Sequence, residues 1–155
     1  MKFARISLTI LSLSVAAVGA STSGLALAAS PHAASAKTID VRSTSYGKVL
    51  VNSKGDTLYY FALDKKDKSN CNVACLSIWP LVTASGKPMA GPGVSQKLLG
   101  TIKVSGKEEV TYNGLPLYTY VADSGPGQTT GEDANANGGL WWLVSPSGAP
   151  IKKKP

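Results

Sequence analysis

The chain is almost without histidine. The single one, His32, lies in an Ala/Ser-rich stretch ahead of the part that reads as folded. Ser-His-Asp and Cys-His hydrolases, axial-histidine haem sites and histidine-ligated zinc all need an imidazole inside the fold. Here each of them lacks its base or its ligand. Cysteine is as scarce, with only Cys71 and Cys75, too few thiolates to hold a metal alone. No Gly-Lys-Ser/Thr accompanies Gly125, Gly127 and Gly131, so there is no phosphate loop. No Asn-x-Ser/Thr glycan acceptor occurs either.

A long apolar run is also missing. Residues 6–20 are apolar but short and interrupted by Ser and Thr; Lys2 and Arg5 precede them and Ala26-Leu27-Ala28 follows as a small-x-small cleavage site. That pattern is a secretory signal over 1–28, not a membrane span. Residues 29–37 read as a flexible lead-in. No cysteine lies in or just after the apolar run, so nothing there carries a lipid. The body of the chain lacks a charge excess as well. The net charge is +7, but residues 40–150 hold ten Lys/Arg against nine Asp/Glu. The excess sits on the ends, which argues against a nucleic-acid partner. A weak attraction of the basic tail, 152–155, to an anionic cell surface remains. Other partners are unknown from sequence.

What is present is a stretch that occurs twice. Gly55-Asp56-Thr57-Leu58-Tyr59-Tyr60-Phe61-Ala62-Leu63-Asp64 and Gly114-Leu115-Pro116-Leu117-Tyr118-Thr119-Tyr120-Val121-Ala122-Asp123 share Gly, Leu-Tyr, an aromatic and Asp at one fixed offset. A repeat of this size signals duplicated supersecondary units. Around it, Thr38–Thr44 alternates apolar and polar residues, as a strand with one wet face does. Val49–Val51 and Thr57–Phe61 flank a turn at Asn52–Gly55, and Val110–Tyr112 and Leu115–Tyr120 flank Asn113-Gly114, the strongest short hairpin signal. Pro116 cannot donate to a ladder and belongs on an edge. The stretch from Ser69 to Pro80 can take a helical turn capped by Asn72, and Trp141–Val144 reads as an apolar strand. Seven or eight short strands with little helix predict a mostly β fold. The expected architecture is a small antiparallel sandwich or barrel over 38–151. It is built from two hairpin repeats, about 47–83 and 106–144, with one helical turn near the cysteines.

These residues resemble a family of bacterial secreted and lipoprotein repeats marked by a Y-x-[FWY]-x-x-D motif. Tyr59, Phe61 and Asp64 fill the motif once, and Tyr118, Tyr120 and Asp123 fill it again. Cys71 and Cys75 followed by Trp79-Pro80, and the glycine-rich run into Trp141, are similar to the family's first and second repeats. The resemblance implies secretion and a shared fold, and it implies no activity. Many relatives carry a lipobox cysteine; its lack here points to a freely secreted form.

Each candidate site has two readings. The motif residues are core aromatics with turn-capping carboxylates, or they line an aromatic groove with Trp79, Trp141 and Trp142 for a glycan, peptide or planar ligand. Cys71 and Cys75, in an oxidising compartment, form a local disulfide; the alternative is a redox-active pair. Asp133, Asn135 and Asn137 with Gly138 match the opening of a calcium loop, but Val144 stands where the bidentate Glu belongs. Any such binding falls in the weak range of about 10⁻⁴–10⁻³ M. No other cofactor is expected, and no spacing selects a catalytic carboxylate pair. The sequence therefore points to a secreted, non-enzymatic cell-envelope or extracellular protein that binds a ligand or is structural. The alternative is an extracytoplasmic redox or metal-handling protein using the cysteines or the Asp133 loop.

Overall fold

The computed structural model describes residues 38–152. The expected signal peptide, the lead-in and the last three residues of the tail lie outside the described residues. The elements in order are β1 (Ile39–Thr44), β2 (Gly47–Asn52), β3 (Tyr59–Phe61), α1 (Val73–Leu76), a 3-10 turn (Gln96–Leu98), β4 (Leu99–Val104), β5 (Lys107–Tyr112), β6 (Leu115–Pro116), β7 (Ala134–Ala136), β8 (Gly139–Val144) and β9 (Pro150–Ile151). All strand pairs are antiparallel: β1 with β2, β4 with β5 and β6, and β8 with β3, β7 and β9.

Turn chemistry sets the hairpins. Ser105-Gly106, Asn113-Gly114 and Asn137-Gly138 each hold both central residues at positive φ, the twist that matches flanking strands. Pro116 pairs with Thr111 on β6, the edge of its sheet, where a missing N–H is tolerated. α1 is a single turn. Its cap is Asn72, whose side chain accepts from the Cys75 N–H at 3.0 Å.

The first hairpin departs from the sequence expectation. β2 is paired along its length with β1, and only Val51–Thr57 bridges it to the returning strand. That strand leaves after Leu58 and pairs with β8, with Tyr59 opposite Leu143 and Phe61 opposite Trp141. The longer bend from Asn52 to Asp56 releases it; the Asn52 side chain accepts from the Lys54 and Asp56 N–H groups at 2.9 and 3.0 Å.

The departure is part of an exchange. The motif strand of repeat 1 pairs with the Trp strand of repeat 2. The motif strand of repeat 2 pairs with the Trp strand of repeat 1, where Tyr118 bridges Leu81, and Thr119 and Val121 donate to the carbonyls of Pro80 and Ile78 at 2.9 and 3.1 Å. In the other half, Ala62 donates to Leu140 at 2.8 Å. At the centre the two motif strands meet: Tyr59 N–H donates to Tyr118 at 2.8 Å and Tyr118 N–H to Tyr59 at 3.0 Å. Alternation along each strand splits the interior into two clusters. One holds Val49, Val51, Tyr59, Phe61, Trp79, Tyr118, Trp141 and Leu143 with the cysteines; the other holds Ile39, Leu50, Leu58, Val82, Val110, Tyr112, Leu117 and Val144.

Because each repeat completes the other's sheet, neither carries a core of its own. Cutting the exposed Ser85-Gly86 turn after Gly86, into 38–86 and 87–152, should give two fragments without cooperative thermal transitions. Mixed, they should recover a single transition and a native-like near-ultraviolet spectrum. A cooperative melt from either fragment as a monomer would refute the exchange.

Candidate functional site

The motif side chains converge at the centre of this exchange. Tyr59 Oη donates to Asp123 Oδ2 at 2.7 Å, and Tyr118 Oη donates to Asp64 Oδ2 at 2.7 Å. Each repeat's phenol thus closes on the other repeat's acid. Each acid also ends its own strand, since the Asp64 and Asp123 N–H groups donate back to Phe61 and Tyr120 at 3.0 and 3.2 Å. The second oxygen of each acid ties down the insert that follows. Asp64 Oδ1 accepts from the Asn70 N–H at 2.6 Å, and Asp123 Oδ1 accepts from the Thr130 N–H at 3.0 Å and from the Thr130 hydroxyl.

The phenol oxygens accept from these inserts. The Gly131 N–H donates to Tyr59 Oη at 3.2 Å. Ser69 Oγ lies 2.7 Å from Tyr118 Oη; with the Tyr118 proton committed to Asp64, Ser69 is the donor. Ser69 Oγ accepts in turn from the Cys71 N–H at 3.3 Å. Gly131 has no room for a side chain, because a Cβ there would come within 2.8 Å of the Trp79 ring and 2.9 Å of the Tyr59 ring.

Burial dominates the electrostatics. It raises Asp64 to about 6 against the pull of the Asn70 and Tyr118 hydrogen bonds. Both tyrosine phenols are raised too, first by burial; for Tyr59 the Asp123 bond adds to it, and for Tyr118 the Glu109 and Asp64 charges do. Glu109 on β5 is fully buried and neither carboxyl oxygen has a hydrogen-bond partner; burial, then the Asp64 charge, raises it to about 8. Its counterpart in repeat 1 is Val49, when the two hairpin arms are matched through Leu50 and Val110, which accept from Leu58 and Leu117. Glu132 accepts from the Leu143 N–H at 2.6 Å and is raised by burial to about 7.

A family model described as a secreted repeat of unknown function matches residues 40–83 and again 101–145. The chain belongs to this secreted-repeat family. No curated protein and no solved structure matches it. Membership places the protein outside the cytoplasm, in the extracellular space or cell envelope. Among the described residues no helix is long and apolar enough to cross a membrane.

Within this family frame the groove reading is corrected. Tyr59, Phe61, Tyr118, Trp79 and Trp141 are buried, and the two indoles stack on each other with centroids 3.9 Å apart. Trp142 points to the other side of β8, under the Lys152 ammonium at 5.8 Å. Tyr120 alone of the motif aromatics is half-buried. Strand alternation and the exchange turn these rings inward, so they line no common cleft. The candidate calcium ligands lie on a hairpin. Asp133, Asn135 and Asn137 are exposed along β7 and its turn, with Asn135 opposite Leu140 on β8. Asp133 and Asn137 flank β7 at positive φ, and Asn137-Gly138 forms the turn into β8. Among the described residues no three His, Cys, Asp or Glu side chains gather as metal ligands. Cys71 and Cys75 are joined, with Cα atoms 5.3 Å apart.

Sequence reasoning counts Glu109 among the carboxylates without separating it from the exposed ones, because all of β5 from Glu109 to Tyr112 is buried and shows no alternation. An acid whose folded pKa is raised holds its proton more tightly when folded, so its contribution is full below the unfolded value and is lost as pH rises toward the folded one. Asp64, Glu109 and Glu132 all act in this sense, between about 4 and about 8. The thermal midpoint should therefore fall as pH rises from 5 to 8. E109V, which restores the residue type of the other repeat, should flatten that slope and raise the midpoint at pH 8. A lower midpoint for E109V at pH 8 would show that the carboxylate has a partner.

Proposed function

We propose that this domain is a non-enzymatic extracellular or cell-envelope module with a structural or ligand-binding role. The observation that supports it is the state of the motif carboxylates. Both oxygens of Asp64 and both of Asp123 accept bonds from the protein's own donors. General acid–base chemistry needs a carboxyl group within reach of a substrate proton, and these two are held for internal use. Glu109 is sealed in the core and Glu132 is bonded to the β8 backbone. The motif then serves to lock the repeats, and binding falls to the outer surface. A polar depression there runs beside β1 and the Asn52–Gly55 bend, where Arg42, Ser43 and Lys54, with Asp40 also in its lining, offer donors to anionic or hydroxyl-rich polymers.

The cycling-thiol alternative is less well supported. Cys75 is the buried residue of α1 and its N–H is held by the Asn72 cap, a closed setting in which exchange with a partner thiol is slow. The loop it closes is short, and the stabilisation expected from chain entropy is about 2 kcal/mol.

Full-length protein and an R42A/K54A variant, incubated with isolated anionic envelope polysaccharide, should both leave the polymer intact. The variant should be retained more weakly. Release of soluble sugar would overturn the non-enzymatic reading, and equal retention would remove this face as the binding surface. A thiol reagent should leave the native protein unlabelled; two labelled thiols in folded protein would favour the cycling pair.

A further inference from the structure

Six aromatic rings from the two repeats meet in the core. Four are stacked in one column, in the order Tyr120, Trp79, Trp141, Phe61, with successive centroids 4.1, 3.9 and 4.4 Å apart and interplanar angles of 17°, 3° and 17°. Tyr59 meets the edge of Trp79 at 5.4 Å, and Tyr118 meets the edge of Trp141 at 5.1 Å. The stacking contacts cross between repeats, and these edge contacts stay within one. Packing explains the burial of these rings and their offset and edge geometries. Packing does not require two further features. The column approaches the surface at one end, where Tyr120 is half-buried, and is closed at the other by buried Phe61. Each flanking phenol also rests its proton on a carboxylate oxygen at 2.7 Å, while the buried Trp79 Nε1–H has no acceptor.

These features match the needs of one-electron chemistry. Indole and phenol rings are among the most readily oxidised side chains, and rings in van der Waals contact exchange an electron without an intervening bridge. A phenol gives up an electron easily when its proton leaves at the same time, and a hydrogen-bonded carboxylate is the acceptor for it. An oxidised Trp79 has no hydrogen-bonded group to take its proton, so it is not trapped and is refilled by a neighbour. We propose that the aromatic column is a one-electron relay that moves an oxidising equivalent from a radical oxidant in the extracellular medium to the two buried tyrosines.

The step balances as follows. The oxidant gains one electron at the Tyr120–Trp79 end. Tyr59 then gives one electron to the stack and its phenolic proton to Asp123 Oδ2; in the other half Tyr118 does the same with Asp64 Oδ2. The products are the reduced oxidant, a neutral phenoxyl radical and a carboxylic acid. One electron from a small thiolate in the medium, which leaves as a thiyl radical, and return of the proton from the carboxylic acid to the phenol restore the starting state. Phe61 is hard to oxidise and ends the path, so the relay has one entrance.

The experiment is one-electron oxidation of the full-length chain by azide radical in pulse radiolysis, followed by time-resolved absorption. The variant W142F removes the outer indole, whose cross-strand neighbour Tyr60 offers a surface route. In W142F the indolyl signal should convert to phenoxyl with a first-order rate independent of protein concentration, and the rate should fall severalfold in D2O. D64N/D123N should slow the conversion severalfold, and Y59F/Y118F should abolish it. A rate that scales with protein concentration, or one indifferent to D2O, would overturn the relay. The D2O measurement needs no core variant, so the test stands even where those variants fail to fold.

Discussion

Two tyrosines lie side by side in the middle of this protein, each bonded to the other's backbone and to the acid of the other's repeat. Burying a phenol without a partner costs roughly 1–3 kcal/mol, and burying a lone carboxylate costs more. In the exchanged arrangement every one of these groups is satisfied, and in an isolated repeat each phenol and one oxygen of each acid would be left open. That constraint makes the two repeats one cooperative unit. It also explains the motif position by position. Tyr reaches across to the other acid, the aromatic two residues on stacks on the other repeat's Trp, and Asp receives the returning phenol while ending the strand.

The repeat itself was legible, because a fixed spacing of Gly, Tyr and Asp survives in the primary sequence. So were the strands, the Asn113-Gly114 turn, the Asn72 cap and the disulfide, all of which depend on neighbours in the chain. The exchange was not legible. Residue types show that Tyr59 prefers a strand, and nothing in them says which Trp strand it will pair with. The aromatic groove failed for a related reason: a Tyr or Trp carries the same signal whether it faces solvent or a second copy of itself. Two local signals overlap at the Asp133 loop. Asn137-Gly138 is the same hairpin dipeptide as Asn113-Gly114, and its turn chemistry sets the backbone between β7 and β8. The burial of Glu109 was not legible because a strand buried on both faces has no alternation to break.

The two inserts look unrelated in sequence but do one job. In repeat 1, the disulfide-closed turn brings Ser69 to the Tyr118 phenol and Asn70 to Asp64. In repeat 2, a glycine-rich loop brings Gly131 to the Tyr59 phenol and Thr130 to Asp123. One solution uses a hydroxyl and a covalent staple, the other a bare backbone N–H and a residue with no Cβ. The centre fixes only what must arrive: one donor for the phenol and one for the acid. The chain between is free to diverge, which is why the copies lose their likeness after each Asp.

Departures from the internal symmetry are therefore more informative than the symmetry. Val49 against Glu109 places one ionisable group in a core that is otherwise paired, on the side of Asp64 and Tyr118. Phe61 against Tyr120 closes one end of the ring column and leaves the other near solvent. The duplicated lock of phenol and acid uses neither position: its hydrogen bonds run between Tyr59 and Asp123 and between Tyr118 and Asp64. Both differences change the chemistry of the core, one by an ionisable group and one by a phenol in place of a phenyl ring. Both departures sit in the buried centre, one beside Asp64 and Tyr118 and one at the end of the ring column.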